Sequence, residues 1–328
     1  METIDHLHTI FNEALANICW QKKQPQNLYE PIDYTLSSGG KRLRPVLVLL
    51  AYSLYISETD NYTDATNAAL AIEFFHNFTL MHDDVMDNAD LRRGKPTVHK
   101  KWNSNAAILS GDELLIEAYS QLAKIPDEKL KKCLLFFNEM ASNICQGQQY
   151  DMDFETREDV TVDEYINMIK LKTSVLIGTA LKIGACLADA PEKDIEYLGI
   201  YGTNLGIAFQ LQDDNLDVYG DTKTFGKNIG GDILCNKKTF LLLTALEKAD
   251  PQQKTALEAL LTNAEIQPAD KIAQVKKIYD EIRVKELAIA AMQQYTDKAL
   301  NTIKQTSLSH EKQQILVDLA NQLLNRQS

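Results

Sequence analysis

Apolar residues recur at intervals of three and four along almost the whole chain, and this spacing limits the fold more than any other feature. It is the period of an amphipathic α-helix, whereas the alternation typical of strands is scarce. The spacing is clearest in AALAIEFFHNFTLMHDDVMD, YINMIKLKTSVLIGTALKIGACLA and YLGIYGTNLGIAFQLQDDNLDVYG. We therefore predict an all-α protein.

The breaks between the predicted helices are short and polar, as in SSGGKRLRP, FGKNIGGD and EKADPQQ. No stretch is long or polar enough to link separate domains, and no fixed repeat occurs. With 45% hydrophobic residues and only 14 glycines and 8 prolines among 328 residues, the composition suits one well-buried core. We predict a single all-helical domain over residues 1–328.

Charge and hydropathy exclude several classes of partner. A formal net charge of -12 repels nucleic acid and anionic lipid, so no nucleic-acid partner is expected. The longest apolar run, VLVLLAYSLYI, is much shorter than the roughly 20 residues of a membrane span. We predict that it is a core helix and that the chain has neither a signal peptide nor a transmembrane segment.

The cysteines bear on the cellular compartment. They are scattered without CxxC spacing, and they are Cys19, Cys133, Cys145, Cys186 and Cys235. This pattern suits buried thiols in a reducing compartment better than a disulfide framework or a zinc site. We expect a cytoplasmic protein.

The segment HDDVMD places three carboxylates on one predicted helix. Asp83 and Asp87 are four residues apart and share a helix face, with Asp84 beside them. A lone motif of this kind is usually a solvated acidic surface, but Leu80 and Val85 belong to an apolar surround. Carboxylates against an apolar wall favour a cation, and Mg²⁺ takes one or two carboxylates together with phosphate oxygens.

A second copy of the motif, QDDNLD, strengthens the metal hypothesis. Asp213, Asp214 and Asp217 repeat the spacing of the first cluster on another helix with apolar flanks. Gln210 shares the face of Asp213 and Asp217 and could donate a hydrogen bond to an oxyanion. Two acidic helices facing each other would form a metal-filled cleft, whereas two unrelated acidic surfaces are the less favoured alternative.

Basic residues near both motifs indicate phosphate chemistry, because arginine binds phosphate bidentately and lysine supplies a mobile charge. Each one alone is more often a solvated side chain than a ligand. They lie in predicted loops after Gly39–Gly40, after the first acidic motif and around FGKNIGGDILCNKKT, and they are Lys41, Arg42, Arg44, Arg92, Arg93, Lys227 and Lys237, with Lys172–Thr173 as a further donor pair.

Taken together, two DDxxD motifs, RRG after the first, GGKRLRP upstream and GKNIGGDILCNKKT downstream resemble the trans-isoprenyl diphosphate synthases. The resemblance covers residues 39–239 in the family's order and spacing. It implies an isoprenoid-synthase-type helical bundle around a central cleft, a homodimer and three Mg²⁺ ions. It also implies head-to-tail condensation of isopentenyl diphosphate with dimethylallyl, geranyl or farnesyl diphosphate.

The resemblance assigns a role to individual residues. It makes Asp83, Asp87 and Asp213 metal ligands, supported through water or hydrogen bonds by Asp84, Asp214 and Asp217. The allylic diphosphate would be bound by Arg92, Lys172, Thr173, Gln210, Lys227 and Lys237, among which Lys172, Thr173, Gln210 and Lys227 also serve catalysis. Isopentenyl diphosphate would be bound by Lys41, Arg44, His76 and Arg93.

Some assignments have a plain structural alternative. A lone histidine on an apolar helix is usually a core residue, but an ideal helix puts His76 within about 20° of Asp83 and Asp87. Gln148 and Asp151 match a further family position that lines the site, although QQYDMD could equally be a polar helix end.

The implied mechanism requires charge stabilisation and a dry cavity. Metals and basic side chains would stabilise the departing diphosphate while the allylic carbon becomes a cation that the alkene of isopentenyl diphosphate attacks. No serine or cysteine nucleophile is needed. Water would capture the cation, so an apolar tunnel should lie beneath the carboxylates.

Product length depends on what closes that tunnel. By the resemblance, bulky residues upstream of the first aspartate stop the growing chain, and Phe75 and Phe78 lie roughly 12 and 7 Å along the helix from Asp83. The ideal helix puts Phe75 and Thr79 nearer the carboxylate face and Phe78 almost opposite, and either ring could be ordinary core. We expect an all-trans product of 15 to 20 carbons, with Phe75 and Phe78 as the tunnel floor.

Three alternatives stay open on the sequence. One is a synthase of medium or long polyprenyl chains. A class I terpene cyclase would replace the second DDxxD motif by an Asn/Asp, Ser/Thr, Glu triad and would not need GGKRLRP. A catalytically silent partner subunit would lack one acidic motif, whereas both are intact here.

Overall fold

A computed structural model of the chain describes residues 4–57, 61–220, 230–263 and 265–324. The α-helices are α1 Ile4–Ala16, α2 Gln26–Ser37, α3 Leu43–Ser53, α4 Thr63–Met86, α5 Val98–Lys101, α6 Ser104–Leu122, α7 Asp127–Thr156, α8 Val162–Ile169, α9 Val175–Leu187, α10 Glu192–Tyr219, α11 Gly231–Leu234, α12 Phe240–Lys248, α13 Pro251–Thr262, α14 Pro268–Ile282, α15 Val284–Ile303 and α16 His310–Leu324. A 3₁₀ turn covers Trp20–Lys22, a π-helix covers Lys170–Ser174, and the short strands are β1 Leu91–Arg92 and β2 Lys95–Pro96. The all-α prediction is confirmed.

The apolar run VLVLLAYSLYI forms most of α3. Its residues from Val46 to Ala51 are buried, as predicted for a core helix, but the helix ends at Ser53 and does not continue to Ile56. Across the part of the chain that the structure describes, none of the helices combines the length and the apolar character needed to cross a membrane.

The chain forms two compact units. Unit 1 comprises residues 1–138 and 179–196, and unit 2 comprises residues 139–178 and 197–328. Helices α7, α9 and α10 contribute residues to both. The single-domain interpretation stays a prediction.

Unit 1 is built around α4, which packs against α3 and α6. The N-terminal half of α4 buries small side chains, including Ala65, Ala68 and Ala69. At its other end, a Cβ added at Gly111 of α6 would lie 2.4 Å from the His82 ring, so only glycine permits this close approach. The carboxyl end of α4, which carries the first acidic motif, is held in place by this packing.

In unit 2, side-chain caps set the starts of several helices. Thr161 and Glu164 form a capping box at α8, and Thr239 caps α12. Helices α8, α10 and α12 bury Tyr165, Leu211 and Phe240 in one apolar cluster. This cluster supports the stretch of α10 that carries the second acidic motif.

Candidate active site

The three carboxylates of the first acidic motif differ in their exposure to solvent. Asp83 is half-buried on α4, Asp87 is the exposed residue that caps its end, and Asp84 is only 5% exposed. Oδ1 of Asp84 accepts a hydrogen bond from Nε of Arg92 at 2.7 Å, and Nη2 of the same arginine lies 2.7 Å from that oxygen in an ion pair. Asp84 therefore orients an arginine, which agrees with a supporting role for this residue.

A tight hairpin positions the arginine pair. Leu91–Arg92 pairs with Lys95–Pro96, and Arg93 and Gly94 at the turn have φ values of 53° and 75°. Two positive φ values are what a two-residue hairpin of type I′ requires. Arg93 then donates to the Gly39 carbonyl through Nη1, so the hairpin reaches the GGKRLRP segment.

The glycine pair of GGKRLRP allows that approach. Gly39 and Gly40 have φ values of 81° and 134°, and a Cβ on Gly40 would lie 2.9 Å from the Arg93 guanidinium. The predicted loop placement needs two corrections, because Arg44 lies in the first turn of α3 and Arg92 lies in β1. Helix α3 already begins at Leu43, because the backbone N–H of Val46 donates to the Arg42 carbonyl at 3.3 Å. Arg92 belongs to a strand because it pairs with Lys95 across the hairpin. Lys41 is exposed in the loop.

His76 lies beside these arginines. Its Nε2 is 3.2 Å from Nη1 of Arg44. Burial lowers the pKa of His76 well below its usual value, and the nearby positive charge of Arg44 and Arg93 lowers it further. The imidazole is therefore neutral at pH 7 and can accept a hydrogen bond from Arg44. The structure thus brings together Arg44, His76 and Arg93, three of the four residues predicted to bind isopentenyl diphosphate.

In the second acidic motif, too, the middle carboxylate is the most buried of the three. Asp214 is 5% exposed, whereas Asp213 and Asp217 are half-buried. The Tyr165 hydroxyl donates to Oδ2 of Asp214, and Nε2 of Gln210 donates to its Oδ1 at 3.1 Å. Gln210 was expected on the face of Asp213 and Asp217, but its amide binds Asp214 because that residue is one helical turn away.

Burial also changes the acidity of the middle carboxylate. It raises the pKa of Asp214 to about 7, with a further contribution from the negative charge of Asp232. The hydrogen bonds from Tyr165 and Gln210 oppose that rise. Asp217 accepts a hydrogen bond from the backbone N–H of Asp232 at 3.0 Å. Asp214 and Asp217 are thus held by neighbouring groups, and their supporting roles stay predictions.

Lys172 and Thr173 lie in the π-helix that separates α8 from α9. A Cβ added at Gly147 of α7 would lie 2.3 Å from the Lys172 backbone nitrogen, so the wide turn packs directly on a neighbouring backbone. Nζ of Lys172 is 2.6 Å from Oδ2 of Asp151. Asp151 lies within the last two turns of α7, which ends at Thr156, so both interpretations of QQYDMD stay open. Single π turns are frequent at functional sites.

One further predicted donor, Lys237, lies between α11 and α12. Lys237 is exposed, and its backbone N–H donates to the carbonyl of Asp232 at 2.9 Å. Lys227 lies outside the described residues.

The two phenylalanines of the predicted tunnel floor belong to an aromatic cluster. Phe75 is 1% exposed, and its ring centroid is 5.5 Å from Phe78 and 5.2 Å from Phe137. The half-buried Phe78 also contacts His82, with centroids 4.7 Å apart. Phe75 and Phe78 lie on the N-terminal side of Asp83 along α4, and their role as a tunnel floor stays a prediction.

Sequence reasoning missed three residues that organise these sites. Glu73 and Asn77 are buried on α4 and hydrogen-bonded to each other, and Tyr165 holds Asp214. A charged residue inside the apolar run AALAIEFF was the available signal for Glu73. Nothing in the sequence pattern distinguishes Tyr165 from an ordinary core tyrosine.

Comparisons with known proteins agree with these motifs. The family model described as "Polyprenyl synthetase" matches residues 25–282. A geranylgeranyl diphosphate synthase of Methanosarcina mazei is 44% identical over 227 residues, covering 69% of each chain. A geranylgeranyl diphosphate synthase of Saccharolobus solfataricus is 36% identical over 318 residues, or 94% of each chain. A crystal structure of a geranylgeranyl pyrophosphate synthase is 45% identical, covers 100% of both chains and superposes with a TM-score of 0.93.

Proposed function

The chain belongs to the polyprenyl synthetase family and is a prenyltransferase, and we propose that its acidic and basic motifs carry out one Mg²⁺-dependent condensation. The reaction joins isopentenyl diphosphate head to tail to an allylic diphosphate, which is dimethylallyl, geranyl or farnesyl diphosphate. The product is an all-trans prenyl diphosphate of 15 to 20 carbons. The observation that carries this proposal is the clustering of Arg44, His76 and Arg93 beside the first acidic motif.

The donor chemistry of both motifs fits magnesium, on which the family depends in general. In each motif the middle aspartate is buried and hydrogen-bonded by side chains, while the others are more exposed. Asp83, Asp87 and Asp213 would hold three ions. Within the described residues, no group of three or more His, Cys, Asp or Glu side chains is arranged to hold a metal ion. Mg²⁺ typically takes only one or two carboxylates, with water and substrate phosphate completing its shell.

The chain's own residues bind and orient the two diphosphates. We assign isopentenyl diphosphate to Lys41, Arg44, Arg93 and neutral His76. By the family resemblance, the allylic diphosphate is assigned to Arg92, Lys172, Thr173, Gln210, Lys227 and Lys237. Bound Mg²⁺ would supply positive charge against the departing diphosphate. The allylic C–O bond breaks with its electron pair leaving on diphosphate, the alkene electrons form the new C–C bond, and the released diphosphate takes the proton.

Incubation of the purified protein with labelled isopentenyl diphosphate and each allylic primer, followed by product chromatography, tests this function. We expect prenyl diphosphates of 15 to 20 carbons with Mg²⁺ and none after chelation. Products of 30 or more carbons would indicate the long-chain alternative. A cyclic hydrocarbon made without isopentenyl diphosphate would indicate a cyclase, and no product from any primer would indicate a silent subunit.

The two substrate sites are expected to respond to different substitutions. Arg44→Ala or Arg93→Ala should raise KM for isopentenyl diphosphate about tenfold to a hundredfold, the range for losing one charged hydrogen bond. Lys227→Ala should mainly raise KM for the allylic substrate. Titration of each substrate at a saturating concentration of the other distinguishes them, with Lys248→Ala, at an exposed lysine, as the control. A reversed pattern would show that the two sites are exchanged.

We also propose that the enzyme is a homodimer that associates through α6. This helix exposes four large apolar side chains within a face about 100° wide, as a buried helix stripe would. They are Ile108, Leu109, Ile116 and Tyr119, with exposed fractions of 42%, 60%, 58% and 37%. An exposed apolar stripe of this kind marks an interaction surface or promotes aggregation. We propose that a second copy of the chain covers it.

The dimer is tested by placing a charge on that stripe. Ile116→Glu is expected to convert the dimer to monomer, because it buries an unpaired carboxylate in the contact. Light scattering at micromolar concentration measures the mass. Ile289→Glu, at an isoleucine of α15 that is 47% exposed, is the matched control and should stay dimeric. A monomeric wild-type protein would contradict the proposal.

The proposed location is the cytoplasm. All five cysteines are free thiols in the structure, which suits a reducing compartment. The expectation of buried thiols holds for Cys133 and Cys186 and is wrong for the other three, which are exposed.

A further inference from the structure

We propose that Glu73 is a positioning residue for isopentenyl diphosphate, acting through Arg42 on the neighbouring residues Lys41 and Arg44. The inference rests on the proposed function, which gives Lys41 and Arg44 to that substrate. Glu73 itself lies inside α4 and does not touch the diphosphate.

The carboxylate of Glu73 is buried, and burying a charge costs free energy of desolvation. It is 2% exposed, on a helix segment whose neighbours Ile72 and Phe74 are fully buried. Its Oε1 accepts hydrogen bonds from Nη1 of Arg42 and from Nδ2 of Asn77, the latter at 2.8 Å. A buried charge is tolerated only with such partners, and well-packed hydrophobic residues in place of a whole buried ion pair often give equal or greater stability. The carboxylate therefore requires an explanation beyond packing.

Arg42 connects Glu73 to the GGKRLRP segment. Its side chain is 8% exposed, and Nη2 donates to the carbonyl of Leu36 near the end of α2. Its backbone is left-handed, with φ of 45°, at the residue that precedes α3. One guanidinium thus ties α2 to α4 and holds the backbone between Lys41 and Arg44. Arg42 belongs to a basic motif, but its guanidinium is bound to Glu73, and we assign it no contact with a ligand.

Charge pairing around His76 supports the same interpretation. Four arginines lie close enough to affect this imidazole, and they are Arg42, Arg44, Arg92 and Arg93. Glu73 pairs with Arg42, and Asp84 pairs with Arg92. The proposed function gives Arg44 and Arg93 to isopentenyl diphosphate. Glu73 therefore fixes Arg42 on the structure, next in sequence to the basic residues that the proposed function gives to isopentenyl diphosphate.

Two substitutions of Glu73 test whether the hydrogen bonds to its side chain or its negative charge are needed to bind isopentenyl diphosphate. Glu73→Ala is expected to raise both KM and the calorimetric Kd for isopentenyl diphosphate about tenfold or more, as when a charged contact is lost. KM for the allylic substrate should not change. Glu73→Gln keeps an oxygen where Arg42 and Asn77 donate, so it should restore most of the affinity for isopentenyl diphosphate.

Arg42→Lys provides the decisive variant if Glu73→Ala does not fold. It keeps the charge balance with Glu73, but a single ammonium group cannot reproduce the planar fork that reaches both Glu73 and Leu36. We expect a folded enzyme with a raised KM for isopentenyl diphosphate alone. The Arg42→Lys, Glu73→Ala double variant should be no worse than the poorer single variant, because both act through one contact.

Asp194→Asn is the matched control. Asp194 is also 2% exposed in unit 1, where Oδ2 accepts a 3.0 Å hydrogen bond from the Tyr55 hydroxyl. Its replacement should lower the melting temperature without changing either KM. If Glu73→Ala and Arg42→Lys leave KM for isopentenyl diphosphate unchanged, or raise both substrates' KM alike, the positioning role is wrong. Failure of the proposed function itself would appear separately, as no condensation by the wild type.

Discussion

Asp83→Ala and Asp213→Ala are each expected to lower kcat about a thousandfold or more, because a bound metal ion contributes several kcal/mol and each ~1.4 kcal/mol is a factor of ten. Both replacements remove a carboxylate that we propose binds magnesium directly. Steady-state turnover with saturating substrates and Mg²⁺ measures the effect. Near-normal turnover in either folded variant would contradict the metal assignment.

Two further variants control for charge and for fold. Asp90→Ala removes an exposed carboxylate that pairs with Lys100 at 2.9 Å, close in sequence to the first motif, and should leave kcat unchanged. Asp84→Ala should reduce turnover less than Asp83→Ala does, because Asp84 acts through Arg92. It should also lower the melting temperature slightly, since Arg92 loses its carboxylate partner but has a side chain that is 34% exposed to solvent.

Phe75→Ala and Phe78→Ala, singly or together, are expected to shift the product distribution to longer prenyl chains. Each truncation removes a ring from the aromatic cluster on the N-terminal side of Asp83, and the opened space can accept further five-carbon units. Chromatography of the dephosphorylated products measures chain length directly. Phe240→Ala, at a buried phenylalanine in the apolar cluster of unit 2, controls for a general loss of core packing.

The outcome also decides between a tunnel floor and ordinary core. Truncating a buried phenylalanine costs about 3 to 5 kcal/mol of stability in either case, so stability cannot distinguish the two roles. Product length can. If the active double variant keeps the wild-type length, the floor lies elsewhere and the Phe75–Phe78 pair is part of the core.

Much of this protein could be predicted because its signals are local. The helical period, the i, i+4 spacing of Asp83 with Asp87 and of Asp213 with Asp217, and the glycines of GGKRLRP depend only on neighbours in sequence. The all-α fold, the family and the prenyltransferase activity followed from these patterns and are confirmed. The roles of individual site residues stay predictions.

The sequence by itself determined the helices, the family and the set of charged residues available for diphosphate chemistry. Only the tertiary structure decided how those charges are paired: Asp84 with Arg92, Glu73 with Arg42, Asp214 with Tyr165. Helix periodicity is a property of a few consecutive residues, so it can be deduced from the chain alone. Burial and hydrogen-bond partners depend on segments distant in sequence, so whether a carboxylate binds a cation or supports a neighbour is decided by packing.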